Sequence, residues 1–188
     1  MKNFKSIALA LVAFVSFATN AQTSKKVDAS KSTINWVGKK VTGSHEGTIT
    51  LKEGTLIFKG KKLVGGNFTV DMTTINTTDL EGKGKANLDG HLKSDDFFGV
   101  EKFPTATLVF KTIGKKGNGV YAVTADLTIK GITHPIKFEL TVDGNMASTT
   151  LKVDRTKYDI KYGSGSFFSD LGDKTIYDDF DLTVKLAF

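Results

Sequence analysis

Long runs in which every second residue is apolar constrain this chain more than anything else in it. Tyr121, Val123, Ala125, Leu127 and Ile129 form one unbroken apolar face, and Ile136, Phe138, Leu140 and Val142 form another. Phe180, Leu182, Val184, Leu186 and Phe188 repeat the pattern, as do Ile34 with Trp36, Phe68 with Val70 and Met72, and Ala106 with Leu108 and Phe110. Successive side chains of a strand point to opposite faces, so period two marks antiparallel strands with one wet and one buried face. Turn chemistry separates the runs: Asn118-Gly119 and Asp143-Gly144-Asn145 both favour tight hairpins. Runs near 32–42, 44–52, 55–59, 63–72, 105–113, 119–130, 134–143, 146–153 and 179–188 give eight or nine strands. So many antiparallel strands leave exposed edges unless the sheet closes, and a barrel removes them. The expected fold is all-β, an eight-stranded antiparallel barrel.

Two longer connections interrupt the strands. Within 80–95, Leu88, His91 and Leu92 have the i, i+3, i+4 spacing of a helix broken by Gly84 and Gly90, which predicts a short helix lying across one barrel end. The second connection, 155–179, carries Gly163 and Gly165 before Phe167-Phe168. Each connection is thus associated with an adjacent phenylalanine pair, since Phe97-Phe98 follows the first. Such rings either fill a barrel end or guard a cavity.

The amino-terminal stretch has Lys2 and Lys5 ahead of an apolar run from Ile7 to Ala18, with small residues at Thr19 and Ala21. It reads as a secretory signal peptide, too short to span a membrane comfortably, with cleavage expected after Ala21. Residues 22–188 then form one domain with a sizeable core, and nothing in them is apolar enough over enough length to cross a bilayer as a helix. The formal charge of +6 falls to +4, because Lys2 and Lys5 leave and no acid does. Lys39-Lys40, Lys59, Lys61-Lys62 and Lys115-Lys116 lie beside turns with acids close by, the pattern of solvated turns, and no nucleic-acid partner is expected. With no cysteine, stability rests on a packed core, and thiol chemistry and thiolate metal sites are excluded.

Catalytic motifs are absent from the sequence. His45, His91 and His134 lack metal-ligand spacing, although His45 alternates with Gly47 and Ile49 and so is a candidate to point inward. "GSGSFF" at 163–168 is no nucleophile elbow, and "GKGKAN" at 82–87 lacks the third glycine of a dinucleotide loop. Asp95-Asp96 and Asp178-Asp179 are adjacent acids that diverge on any regular element, which leaves paired-carboxylate chemistry unsupported. An eight-stranded barrel can, however, enclose a small ligand. Burying about fifteen methylenes at ~0.8 kcal/mol each gives on the order of 12 kcal/mol gross, before ordering costs. Scattered surface ion pairs, at about 0–1 kcal/mol, cannot compete.

Three segments carry a family resemblance. "GHLKSDDFFGVEKFPTATLVF" (90–110) resembles the signature of the YceI-like family through His91, Leu92, Ser94, Asp96, Phe97, Phe98, Val100, Phe103 and Pro104. "ADLTIKGITHPIKFEL" (125–140) is similar to the hairpin that follows it, with Ala125 where glycine is frequent, and "VDASKSTINWVGKKVTGSHEG" (27–47) to the first strand. The resemblance implies an extended lipocalin-like barrel whose cavity holds a polyisoprenoid, an isoprenoid quinone or a fatty-acid derivative. It also implies an exported bacterial protein of the periplasm or the medium, acting as carrier or reservoir. The glycine-rich, double-phenylalanine connection at 155–179 departs from the generic family and leaves the head group and mouth open.

Alternation assigns the cavity wall to Ile34, Trp36, Ile49, Phe68, Val70, Leu108, Phe110, Val123, Leu127, Phe138, Leu140 and Leu182. Phe97 and Phe98 are expected to close one end and Phe167 and Phe168 to line or lid the mouth, with His45, His91 and Tyr177 as polar contacts for a head group. No catalytic residue, metal or cofactor is expected, only a bound isoprenoid or fatty-acid-type lipid, and a homodimer stays open. The alternative is an enzyme acting on a lipid or quinone inside the cavity, with His45 or His91 as proton donor.

Overall fold

A computed structural model describes residues 21–188; the expected signal peptide lies outside them except for Ala21. Nine strands and one helix follow in the order β1 (Gln22–Lys26), β2 (Asp28–Lys40), β3 (Gly43–Lys59), β4 (Lys62–Thr77), α1 (Gly82–Lys93), β5 (Thr105–Gly117), β6 (Val120–Ile129), β7 (Ile132–Asp143), β8 (Met146–Asp154) and β9 (Ile176–Ala187). Strands β2 to β9 close an antiparallel ring in which β2 pairs with β9 and β3 with both β2 and β4. The expected eight-stranded barrel is therefore present, and β1 is added to it along the far half of β3, from Gln22↔Lys59 to Lys26↔Thr55.

Where the expected runs and the strands differ, the reason is local. The runs at 44–52 and 55–59 are one strand, β3, whose pairing with β4 shifts register between Thr48 and Thr50 and again between Leu51 and Glu53. Gly54, between the two expected runs, lies inside it. A β-carbon there would stand 2.7 Å from the Phe68 ring, so glycine is what lets that ring lie against the wall. Strand β1, "QTSKK", has no apolar alternation to reveal it. The hairpin turns behave as expected, with Asn118 and Gly119 both at positive φ (47° and 77°), and Lys130-Gly131 makes a second turn of that kind (50° and 74°).

Inward phases build the core. β6 alternates without a fault, its buried residues being Tyr121, Val123, Ala125, Leu127 and Ile129. Helix α1 falls within the expected 80–95 and packs on the end of β4. It is held by polar bonds: Asp89 accepts the Thr77 N–H at 2.8 Å, and Lys85 Nζ donates to Asn76, to the Thr77 carbonyl and to Asp89. Beyond it Phe97 and Phe98 stack edge-on at 5.2 Å, and Phe98 meets Phe180 at 6.2 Å.

One wall of the ring is incomplete. β6 and β7 pair at every position from Val120↔Thr141 to Ile129↔Ile132, and β8 and β9 from Met146↔Ala187 to Asp154↔Asp179. Between them, β7 and β8 pair only at Thr141↔Ser148, Val142↔Ala147 and Asp143↔Met146, next to their turn. Farther from the turn a single side chain crosses, Thr149 Oγ1 donating to the Glu139 carbonyl at 2.6 Å. The remainder of β7, back to Ile132, faces a 3-10 turn, Arg155–Tyr158, that takes over where β8 stops.

Candidate functional site: an apolar cavity

The barrel encloses a cavity of about 180 Å³ whose wall presents only apolar atoms. Of the residues expected to line it, Ile34, Trp36, Ile49, Phe68, Val70, Phe97, Phe98, Leu108, Phe110, Leu127, Phe138, Leu140 and Leu182 do so. Aromatic rings form a continuous arc on one side, with Phe68 and Phe110 centred 5.5 Å apart and Phe110 and Phe138 5.9 Å apart. Trp36 turns its only polar atom into the wall, Nε1 donating to the Thr48 carbonyl at 3.2 Å. Its ring lies over Gly47, where a β-carbon would meet it at 2.5 Å, so the strand tolerates only hydrogen beneath the indole. Tyr177, half exposed, borders the cavity together with Lys39 and Asp179, polar residues that mark its rim.

Five expected residues lie elsewhere. Val123 has the right phase but the wrong height: on β6 only Leu127 and Ile129 reach the cavity, and the Tyr121–Ala125 half is packed solid. Phe167 and Phe168 are 50% and 51% exposed and touch no part of the cavity, so they neither line nor cover it. The turn that carries them decides this. Both of their N–H groups donate to the carbonyl of Ser164, which is fully buried and bridges to Ile176, so the small residue points in and the rings point out. His45 leaves the inward alternation for Asp79, to which its Nδ1 is bonded at 2.8 Å; the Asp79 carboxyl is pushed up by burial but more strongly down by His45 and the Glu46 N–H, ending below its ordinary pKa. His91 is stacked between Phe97 and Tyr162, at 5.6 and 4.4 Å, and does not border the cavity either. No histidine is placed to deliver a proton to a molecule in the cavity, and among the described residues no group of three or more acids and histidines converges as a metal would need.

Several wall residues escaped the sequence reading. Leu51 and Val184 continue phases already recognised, and Leu151 is hidden by the polar composition of "MASTTLKVD". Arg155 is the larger omission. It is 2% exposed at the cavity rim and uses its planar fork to donate to three carbonyls, from Nε to Tyr177 at 3.1 Å, from Nη1 to Ile160 at 2.8 Å and from Nη2 to Ile176 at 3.0 Å. Its face covers the Phe97 ring at 5.5 Å, and Asp178 stands 3.7 Å away as counter-charge. Burial lowers its pKa, opposed by Asp178 and Asp154. The signal was in the composition: this is the only arginine among 26 basic residues, and its planar fork donates from three different nitrogens to three separate carbonyls. Close by, burial pushes the Tyr158 phenol up to about 12.

Comparison with known proteins agrees with this architecture. Residues 26–188 match the model of the YceI-like domain. The chain is 37% identical over 84 residues to a UPF0312 protein of Shewanella denitrificans, covering 45% of this chain and 42% of the relative. It is 35% identical over 98 residues to Protein YceI of Escherichia coli O157:H7, covering 52% and 49%. The matched part thus spans about half the length of these curated relatives. Among solved structures, BcnA of Burkholderia cenocepacia superposes with a TM-score of 0.69 at 22% identity, over 86% of this chain and 99% of that one. A polyisoprenoid binding domain from Saccharophagus degradans gives 0.58 at 16%, over 86% and 95%. At these identities the structures establish a shared fold, and with a family model matched across nearly every described residue, the chain belongs to the YceI-like family.

Proposed function

We propose that this protein holds the hydrocarbon chain of an amphiphile inside its barrel, as a carrier or reservoir. The observation that carries this reading is the cavity itself, about 180 Å³ inside a folded core with no polar atom on its wall. Enclosing one water takes roughly 10–15 Å³ measured the same way, so the space admits on the order of a dozen methylene-sized groups. At ~0.8 kcal/mol each, their burial is worth about 10 kcal/mol before ordering costs. A charged or strongly polar ligand gains nothing there, because it would shed its hydration without a partner. Polyisoprenoids, isoprenoid quinones and fatty-acid derivatives fit these requirements, and the fold shared with the Saccharophagus degradans polyisoprenoid binding domain supports the first of them. The polar head rests outside the apolar space, near Lys39, Tyr177 and Asp179 at the rim.

The test is native mass spectrometry of protein purified from its own host, followed by lipid extraction. An adduct that extracts as a long-chain amphiphile is expected; ligand-free protein that also fails to take up palmitate or a polyprenol overturns the reading. The Lys2–Ala18 segment supports export. Amino-terminal sequencing of envelope or secreted material should begin at or within a few residues of Gln22, and an intact Met1 would exclude processing there.

A further inference from the structure

The unpaired run between β7 and β8 bears directly on how a long chain gets in and out. We propose that this seam is a lateral gate, through which the hydrocarbon chain passes by parting of the barrel wall. The inference rests on the lipid-binding reading above and adds the route.

Four observations converge on the seam. First, the cavity lies directly behind it, since Phe138 and Leu140 of β7 and Thr149 and Leu151 of β8 all border the space. Second, ladder bonds are missing where they would seal the wall, and only the Thr149 hydroxyl reaches the Glu139 carbonyl. Third, the chain is built for an open edge here. Pro135, which can donate nothing to a ladder, and the exposed Lys137 both sit in the unpaired run, and proline and lysine are what natural strands place on edges. Fourth, the wedge beyond Thr149 is fastened on one side only. Arg155 binds it to the Ile176 and Tyr177 carbonyls of β9, whereas its contact with β7 is a stack of Tyr158 on His134, ring centres 5.5 Å apart. Among the described residues, no hydrogen bond joins the Arg155–Ile160 segment to β7. On its β8 side, away from the paired turn, β7 is therefore held only by the Thr149 bond, the ring stack and apolar packing, so the β6–β7 hairpin can part from β8 as a unit without breaking a ladder bond there.

The seam runs from the paired turn toward the end of β8, where Asp154 pairs with Asp179 and where Arg155, Tyr177 and Asp179 border the same cavity, so gate and rim adjoin. A ligand with more than about a dozen carbons can then be loaded sideways instead of threaded end-on.

The absence of cysteine makes the test clean. Glu139→Cys with Thr150→Cys continues the hairpin register across the seam and locks it when oxidised. Thr124→Cys with Lys137→Cys, on registered partners of β6 and β7, cross-links a wall that is already sealed. Release of anthroyloxy-labelled palmitate is followed by stopped-flow displacement with excess unlabelled palmitate. The oxidised seam variant should release the probe at least tenfold more slowly than its reduced form, and the control cross-link should change the rate less than twofold. Thr149→Val, which removes the bridging hydroxyl at nearly constant volume, should speed release at least threefold. An oxidised seam that releases at the parental rate, or slowing by both cross-links alike, overturns the gate while leaving lipid binding standing. Should Thr149→Val alone fold, an unchanged release rate in that variant overturns the gate equally. Failure of the parent protein to bind the probe or a polyprenol at all overturns the lipid reading, and the gate with it.

Discussion

Arg155 concentrates more consequence in one side chain than any other position. Its three carbonyl partners come from two segments about 5 and 21 residues away, so the rim is held by a fork that no lysine can reproduce. Arg155→Lys should leave at least two buried carbonyls without donors and lower stability by about 2–4 kcal/mol in a urea titration. A loss below ~0.5 kcal/mol would show that solvent already satisfies them. Phe167 and Phe168 stand at the opposite extreme. Because both rings are half exposed, Phe167→Ala with Phe168→Ala should shift Tm by no more than a few degrees and leave palmitate release within twofold of the parent. A tenfold faster release would return these rings to the role of a lid, the part that their sequence first suggested.

Elements show why some of this was legible. The phase of a strand is written in its own residues, so the inward faces of β6, β7 and β9 and most of the wall could be read directly from alternation. The contrast is measurable at neighbouring positions of β7. Leu140→Asp puts a carboxylate on the cavity wall and should abolish palmitate binding, whereas Thr141→Asp, exposed and one step out of phase, should leave it within about threefold. Equal losses would mean that the register is wrong. What alternation could not reveal depends on a partner. β1 exists because β3 offers it an edge, the turn of Phe167 is set by Ser164 against Ile176, and the open seam is a property of two strands together. The segment 160–176 is also pinned electrostatically. Burial pushes the Asp178 carboxyl up, but the hydroxyls of Ser164 and Ser166 and the charge of Arg155 outweigh it and hold it below its ordinary range. A carboxyl depressed in the folded state contributes stability above its unfolded pKa of ~3.9 and loses it as pH falls through the lower folded value. Limited proteolysis within 160–176 should therefore accelerate as pH drops below about 4, and Asp178→Asn should remove that pH dependence. A cleavage rate flat across that range in the parent would exclude the link.

At the scale of the whole molecule, the ring joins the beginning of the domain to its end. Ile34 of β2 pairs with Val184 of β9, about 150 positions later, and no earlier strand substitutes for that closure. Contacts so distant in sequence make folding slow, because chain entropy is lost before the pairing rewards it. Until the final dozen residues arrive, the apolar inner face is an open sheet exposed to whatever surrounds it. The interior capable of holding a ligand is therefore the last thing this chain acquires, and a chain shortened before β9 would present that same surface as a site of aggregation.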